Sequence, residues 1–184
     1  AKALIDIGGE DAKVVFFNGK SMELRMNGNC AGGTGAFIDQ MAVLTGSTNS
    51  ELNDKAMVAK QLYPMAARCG VFAKTDIQNL MSRNLPESDI AASIFHSIAV
   101  QTITTLSHGC DFTPPILLCG GPLTFLPALR KAFAEYLKMN DDDFIVLREG
   151  NLIPSIGCAL RADKAEAVDI DTLRSCLLYT SDAA

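Results

Sequence analysis

The sequence lacks an excess of positive charge, a long apolar run and a basic stretch at its start. Its formal net charge is −5 over 184 residues, which provides no general field for a polyanion, so nucleic acid is not expected as a partner. A membrane-spanning helix needs about 20 consecutive apolar residues, and a secretory leader begins with positive charge. We therefore expect a cytoplasmic protein that associates with neither nucleic acid nor membrane.

Cysteines are too few and too scattered for a disulfide framework. Six occur in 184 residues, whereas small disulfide-stabilised domains are far richer in cysteine. A reducing cytosol is therefore the better assumption. For Cys110, Cys119 and Cys158, we expect burial as small apolar side chains.

The residues that are present predict an ordered α/β protein. Hydrophobic residues make up 48% of the chain and charged residues 20%, which is typical of one domain with a substantial core. Strand patterns alternate with helical patterns, which favours a partly parallel sheet. The predicted strands are 3–7, 13–17, 22–26, 116–119 and 144–147. The predicted helices are 35–45, a surface-facing 50–62, one from near 69 to 81, 87–106, 125–139 and 154–162.

The first candidate site is a glycine turn that follows the first predicted strand, within the segment Ile5 to Asp11. Glycines allow backbone N–H groups to approach phosphate oxygens closely. Asp6 is suited to hold Mg²⁺ through water, and Glu10 or Asp11 to orient a nucleophilic water. An ordinary hairpin turn rich in Gly and Asp accounts for the same residues equally well.

The second candidate site is Gly120-Gly121, which follows the predicted strand 116–119. In α/β sheets, ligands bind at the carboxyl ends of strands, where a turn opens into a helix. These glycines are suited to pack against adenine and ribose. A tightly packed loop without a ligand is an equally good interpretation.

The third candidate site combines Cys30 with the glycines that follow it, and Cys69. Each cysteine precedes a predicted helix, and the partial positive charge of a helix N-terminus stabilises a thiolate or an anionic cluster. The Lys-Ser/Thr pair of a Walker motif is missing, so the glycines after Cys30 suit hydrogen bonding to sulfur. Two cysteines are half of a Cys₄ site, which further cysteines or a second subunit would complete. Two unrelated buried thiols are the alternative.

Other polar residues are assigned structural roles. His96 lies in an apolar helical pattern and is expected to pack in the core. Arg25, Lys74 and Arg83 are expected to be solvated or interfacial charges. The phosphate turn and the two helix-capping cysteines together suggest ATP hydrolysis coupled to a redox centre.

The motifs together resemble the BadF/BadG/BcrA/BcrD-type ATPases, the ATP-dependent activators of 2-hydroxyacyl-CoA dehydratases and benzoyl-CoA reductases. The resemblance extends to about Asp163. Glu10 stands where Gln is commoner, Gly32 replaces a usual Ala, and 122–125 departs from the usual continuation. The motifs that carry the resemblance are 5–13, 26–35, 69–76 and 120–121.

This resemblance implies the actin/sugar-kinase/heat-shock ATPase fold, which is ribonuclease H-like, and a homodimer. One [4Fe–4S] cluster would lie between the subunits, held by Cys30 and Cys69 of each. Binding and hydrolysis of ATP with Mg²⁺, leaving ADP, would drive a low-potential electron into a CoA-ester dehydratase or reductase. The implied catalytic residues are Asp6, Glu10 and Asp11. The implied nucleotide-binding residues are Gly8, Gly9, Lys13, Gly120 and Gly121.

The resemblance also predicts the domain organisation. Residues 1–172 would form mainly the C-terminal lobe of the ATPase, with a helical cluster-binding insert at about 27–85. The N-terminal lobe would be missing, so the isolated chain is expected to bind ATP weakly or not at all. Residues 173–184 would be a non-native or disordered tail. The chain is expected to be part of a large multi-module version of the family. An iron-free small-molecule kinase of the same fold and a non-catalytic ATPase-like regulatory module are the alternatives.

Overall fold

The computed structural model describes residues 1–27, 32–66, 70–164, 167, 169–172 and 174–175. The chain divides into two units, Ala1–Ile153 and Pro154–Ala184. In the second unit, most of helix α7 (Ile153–Ala159) and a 3₁₀ turn (Ala162–Lys164) are described. Most of the predicted tail 173–184 lies outside the described residues.

None of the helices within the described part of the chain combines the length and the apolar character that crossing a bilayer requires.

The first unit is built on a five-stranded mixed sheet. Its order is β3-β2-β1-β4-β5. The first three strands form an antiparallel meander, whereas β4 is parallel to β1, and β5 to β4. This confirms the partly parallel sheet and each predicted strand to within a residue at each end. The strands are β1 Ala3–Ile7, β2 Ala12–Asn18, β3 Ser21–Met26, β4 Ile116–Cys119 and β5 Phe144–Val146.

The two faces of the sheet differ in burial, because successive side chains of a strand point to opposite faces. One face belongs to the hydrophobic core that it forms with the helices. The opposite face carries Asp6, Lys13 and Cys119, which the strand register places side by side. The core residues of the first face are Ala3, Ile5, Ile7, Ala12, Val14, Phe16, Ile116 and Leu118.

Helix α4 confirms its prediction at both ends. It spans Glu87–Leu106, and Ile90, Ile94 and Ile98 form a buried stripe along it. Pro86 occupies the N-cap position, where a backbone N–H would not take part in a helical hydrogen bond, so the lack of one in proline costs nothing. The other helices of this unit are α1 Gly35–Leu44, α2 Asn49–Met57, α3 Gly70–Ser82, α5 Gly121–Phe125 and α6 Pro127–Leu137.

The prediction of a surface helix over 50–62 is wrong in its end and in its exposure. Helix α2 ends at Met57 and buries Leu52, Asn53 and Ala56. The following segment, 58–66, has no regular secondary structure. From Lys60 onward, several of its backbone N–H groups donate to side chains of other helices, and these contacts replace helical hydrogen bonds. Asp89 accepts from Lys60 at 2.8 Å, Ser93 from Tyr63 at 2.8 Å and Asp76 from Ala66 at 2.7 Å.

The predicted helix 125–139 is two helices. Pro127 opens α6, and Leu126 before it is extended, with φ −114° and ψ 92°. The ring of a proline excludes the preceding residue from the helical region, so α5 ends at Phe125. Helix α7 ends at Ala159, three residues before the predicted end.

Two of the three cysteines expected to be buried are not. Cys119 is buried, whereas Cys110 is intermediate and Cys158 is exposed. Arg25, expected to be a solvated or interfacial charge, has a side chain that is 16% exposed, and its guanidinium caps the end of α4. It donates to the carbonyls of Leu106, at 3.2 Å, and Ser107.

Candidate functional site

The β1–β2 turn is joined to the start of α1. The Gly8 N–H donates to the Asp11 carbonyl at 2.8 Å and closes the turn. The carbonyls of Gly8 and Gly9 then accept hydrogen bonds from the N–H groups of Gly35, at 2.9 Å, and Ala36, at 2.6 Å. The turn therefore satisfies two of the donors that every helix N-terminus leaves unpaired. The predicted phosphate turn and α1 form one connected unit.

Asp6 is half-buried on the polar face of the sheet, opposite Lys13 on β2 and Cys119 on β4. Burial raises the pKa of Asp6, the charge of Lys13 lowers it, and the charge of Asp11 raises it. Burial and the charge of Asp6 raise the pKa of Cys119 to about 12. Because burial disfavours the charged form of Asp6, a nearby cation would stabilise that carboxylate. The Cys119 thiol stays protonated at neutral pH.

The turn after β4 packs directly on the end of β1. Gly120 has φ +86°, and a Cβ there would overlap the Ile7 carbonyl and lie 2.6 Å from Asp6 Oδ1. Only glycine suits this position, both because of its φ and because of the close approach. At Gly121, by contrast, a Cβ would meet no atom within 4 Å. The second predicted glycine turn thus lies beside Asp6.

A cavity of about 370 Å³ lies where these segments meet. Gly9 of the first glycine turn and Gly121 of the second both line it, although 112 positions separate them in the sequence. Its volume lies in the range of about 300–1,000 Å³ that is usual for small-molecule sites. The other lining residues are Gly35, Ile38 and Asp39 of α1, Asn49 of α2, and Pro122, Phe125 and Leu126.

The other residues predicted for the phosphate site lie close together in the structure. Gly8, Glu10, Asp11 and Lys13 belong to the β1–β2 turn and its edge, and Lys13 Nζ is 3.5 Å from Asp11 Oδ2.

Asp39 and Asn49 were missed in the sequence, since no local pattern relates them to either glycine turn. The structure brings them to the cavity through the packing of α1 and α2.

Cys30 and Cys69 lie outside the described residues. The described helices begin nearby in the sequence, α1 at Gly35 and α3 at Gly70. Over the ranges that the structure describes, no three His, Cys, Asp or Glu side chains are arranged to hold a metal ion.

A glycine turn beside a carboxylate, and a second glycine turn across the same cavity, define the class as nucleotide-binding α/β proteins. The sequence model of the BadF/BadG/BcrA/BcrD ATPase family matches residues 1–162. The chain belongs to this family, and it has the actin-like ATPase fold of its structural neighbours.

Individual relatives agree with this assignment. The 2-hydroxyisocaproyl-CoA dehydratase activator of Clostridioides difficile is 34% identical over 122 residues, which are 65% of this chain and 46% of the relative. The (R)-2-hydroxyglutaryl-CoA dehydratase activating ATPase of Acidaminococcus fermentans is 32% identical over 119 residues, 64% of this chain and 45% of the relative. The chain spans about half the length of these two curated relatives.

A solved structure gives the same result. The activator of the 2-hydroxyisocaproyl-CoA dehydratase from Clostridium difficile with bound ADPNP superimposes with a TM-score of 0.78 and 27% identity. The match covers 92% of this chain and 65% of that structure's chain. The family resemblance and the fold predicted from the motifs are therefore confirmed.

Proposed function

We propose that this chain is the nucleotide-binding part of an ATP-dependent activator of a CoA-ester dehydratase or reductase. ATP hydrolysis would drive a low-potential electron from a [4Fe–4S] cluster to that partner. The cavity carries the proposal, because Gly9 and Gly121, predicted separately to contact phosphate and adenosine, both line it. The family and the names of the relatives support the same function.

The nucleotide would extend from the β1–β2 turn into the cavity. Its phosphates would lie at Gly8 and Gly9, whose lack of side chains leaves the backbone accessible. Asp6 would hold Mg²⁺ through water. Burial raises the pKa of its carboxyl, and a bound cation would offset this by favouring the ionised form. Bound Mg²⁺ would neutralise charge on the phosphates. Glu10 or Asp11, both exposed in the turn, would orient the attacking water.

Cys30 and Cys69 would be the cluster ligands, with the same pair supplied by a second copy of the chain. Their donor chemistry fits, since four thiolates hold a [4Fe–4S] cluster and two are available in each copy. The helix that begins at Gly70 would place its N-terminal dipole beside Cys69 and stabilise the thiolate. The bound cluster would supply the low-potential electron.

The cluster assignment is tested by metal analysis of the full-length polypeptide purified without oxygen. Cys30→Ala is expected to abolish iron and acid-labile sulfide. Cys119→Ala is the matched control and is expected to retain both, because Cys119 is a buried, protonated thiol. Equal iron content in the two variants would contradict the assignment. An unaltered protein without iron would favour the iron-free kinase.

The nucleotide assignment is tested by ATP hydrolysis. Asp6→Asn keeps the size of the side chain but removes the charge that would hold Mg²⁺, so hydrolysis is expected to fall roughly a hundredfold. Iron content is expected to stay unchanged. Asp142→Asn, in an exposed 3₁₀ turn, is the control. Hydrolysis by Asp6→Asn at the parent rate would show that the assignment of Asp6 is wrong.

Coupling between the two sites would run through the hydrogen bonds that join Gly8 and Gly9 to the start of α1. If nucleotide binding moves this turn, the segment after Cys30 moves with it. Linkage then requires that removing the cluster alter the affinity for ADP and ATP. Identical affinities with and without the cluster would leave two independent sites.

A further inference from the structure

Segment 32–36, which follows the proposed cluster ligand on α1's side, contacts helix α4 at two adjacent glycines. A Cβ built on Gly32 would lie 2.7 Å from Gln101 Oε1 and 2.9 Å from Gln101 Cδ, so a side chain there would displace the carboxamide of Gln101. A Cβ built on Gly33 would lie 3.1 Å from Thr102 Oγ1. Two consecutive residues of α4 therefore lie directly against two consecutive residues of this segment.

Helix α4 is a firm support for this contact. Phe95 and Ile98, on the turns before it, are completely buried in the core, and a close-packed core resists displacement of the helix. The other end of segment 32–36 is bound to the phosphate turn, through the hydrogen bonds of Gly35 and Ala36. The segment therefore lies between a fixed helix and the turn predicted to contact phosphate.

Thr102 brings an unmet hydrogen-bonding group to this contact. The residue is 2% exposed, and Thr102 Oγ1 has no hydrogen-bond partner in the parts of the chain that the structure describes. A helical threonine hydroxyl often bonds a carbonyl of the preceding turn, but this one does not. A buried hydroxyl without a partner is destabilising, so it indicates that another state of the site supplies one.

We propose that Gln101 and Thr102 are positioning residues that hold Cys30 in place for the [4Fe–4S] cluster. Both act through segment 32–36. The carboxamide of Gln101 holds Gly32 against α4, and the Thr102 hydroxyl gains its partner from the segment when the cluster is bound. Groups that orient metal ligands in this way control metal affinity and reduction potential. The proposal rests on the proposed function, since it takes Cys30 to be a cluster ligand.

The experiment measures how fast a chelator removes iron from the full-length polypeptide, purified and kept without oxygen. Gln101→Ala is expected to release iron roughly tenfold faster or more, because loss of a group that orients a metal ligand usually lowers metal affinity by about 10–100-fold. Gly32→Ala is expected to do the same, since its methyl group would displace the carboxamide of Gln101. Thr105→Ala, exposed on the same helix, is the control and is expected to keep the parent rate.

A double variant tests whether the two residues act through their contact. Gly32→Ala combined with Gln101→Ala is expected to release iron no faster than either single variant, because the second change removes a contact that the first has already broken. The EPR spectrum of the reduced cluster is expected to change alike in all three, which a general loss of stability does not cause. Effects that multiply, or faster release with an unchanged spectrum, would overturn the proposal.

Thr102→Val tests the hydroxyl separately, because it keeps the shape of the side chain. Iron release is expected to be faster, whereas the metal-free protein is expected to melt at an unchanged or higher temperature, since an unpaired buried hydroxyl is removed. A lower melting temperature of the metal-free variant would show that the hydroxyl is paired without the cluster and would overturn the assignment of Thr102.

The outcomes separate this proposal from the proposed function. Iron release at the parent rate in both Gln101→Ala and Gly32→Ala would overturn the positioning role and leave the cluster assignment intact. An unaltered full-length polypeptide that holds no iron would overturn the proposed function and this proposal together. Gln101 is partly exposed, so its substitution is not expected to prevent folding.

Discussion

The two faces of the sheet share the same strands but serve different purposes. On one face, Ile5, Ile7 and Val14 are completely buried in the core. On the other face, Asp6 and Lys13 lie between these positions, and the edge strand exposes Met22 and Leu24 by 67% and 59%. Because strand side chains alternate, one strand can supply stability with every second residue and chemistry with the others. The candidate site lies at the end of this second face.

The largest expected effect lies where β4 meets β1, at Gly120. Gly120→Ala is expected to lower the free energy of unfolding by at least about 3 kcal/mol, because the backbone there has positive φ and the methyl group would overlap the Ile7 carbonyl. Gly121→Ala is the matched control, since its methyl group would enter open space. Chemical denaturation measures both. A similar stability for the two variants would show that the contact between the strand ends is not tight.

The next effect compares the two faces directly. Ile5→Ala removes a fully buried side chain and is expected to cost about 2–5 kcal/mol of unfolding free energy. Leu24→Ala on the opposite face, 59% exposed, is expected to cost less than about 1 kcal/mol. Urea denaturation of the two variants gives the difference. A comparable loss at Leu24 would mean that the second face is covered as completely as the first.

A smaller effect, of opposite sign, is expected at Asp6. Burial raises the pKa of this carboxyl above its ordinary value of 3.8, so the folded state holds the proton more tightly than the unfolded state. Ionisation therefore costs stability as the pH rises above 3.8. Asp6→Asn is expected to raise the melting temperature at pH 7, and the gain should shrink as the pH falls toward 4. A gain that does not depend on pH would exclude ionisation as the cause.

The smallest effect changes reactivity and not stability. Cys119, with a pKa of about 12, is expected to resist alkylation of the folded protein at pH 8, since the thiolate is the reactive form. Cys158 is exposed and is expected to react. Peptide mass spectrometry after a short treatment with iodoacetamide distinguishes them. Faster labelling of Cys119 would show that its side of the sheet opens in solution.

Asp6 links these stability effects to function. The same substitution is expected to stabilise the fold and to lower ATP hydrolysis, because burial of the carboxylate disfavours the charge that Mg²⁺ would need. Functional sites commonly retain such unfavourable groups.

The sequence by itself determined the five strands, the bounds of α4 and the positions of the glycine turns. The spacing of apolar residues is a local property, so it predicted the bounds of α4 and the alternating burial of side chains along β1. The pattern over 125–139 predicted one helix, although the cause of the split is local: Pro127 excludes Leu126 from a helix. The strand 116–119 was likewise visible in a few adjacent residues. The family followed from the order of four short motifs.

Only the tertiary structure decided which distant residues meet. Asp89 and Ser93 accept hydrogen bonds from backbone N–H groups of the segment 58–66, which continues without helix after α2. No residue pattern within that segment predicts these contacts. The cavity between Gly9 and Gly121, and the pair of Asp39 with Asn49, depend on how α1 packs beside the sheet. Local propensity acts over a few residues, whereas a site is formed by groups whose separation in the chain carries no information about their distance in space.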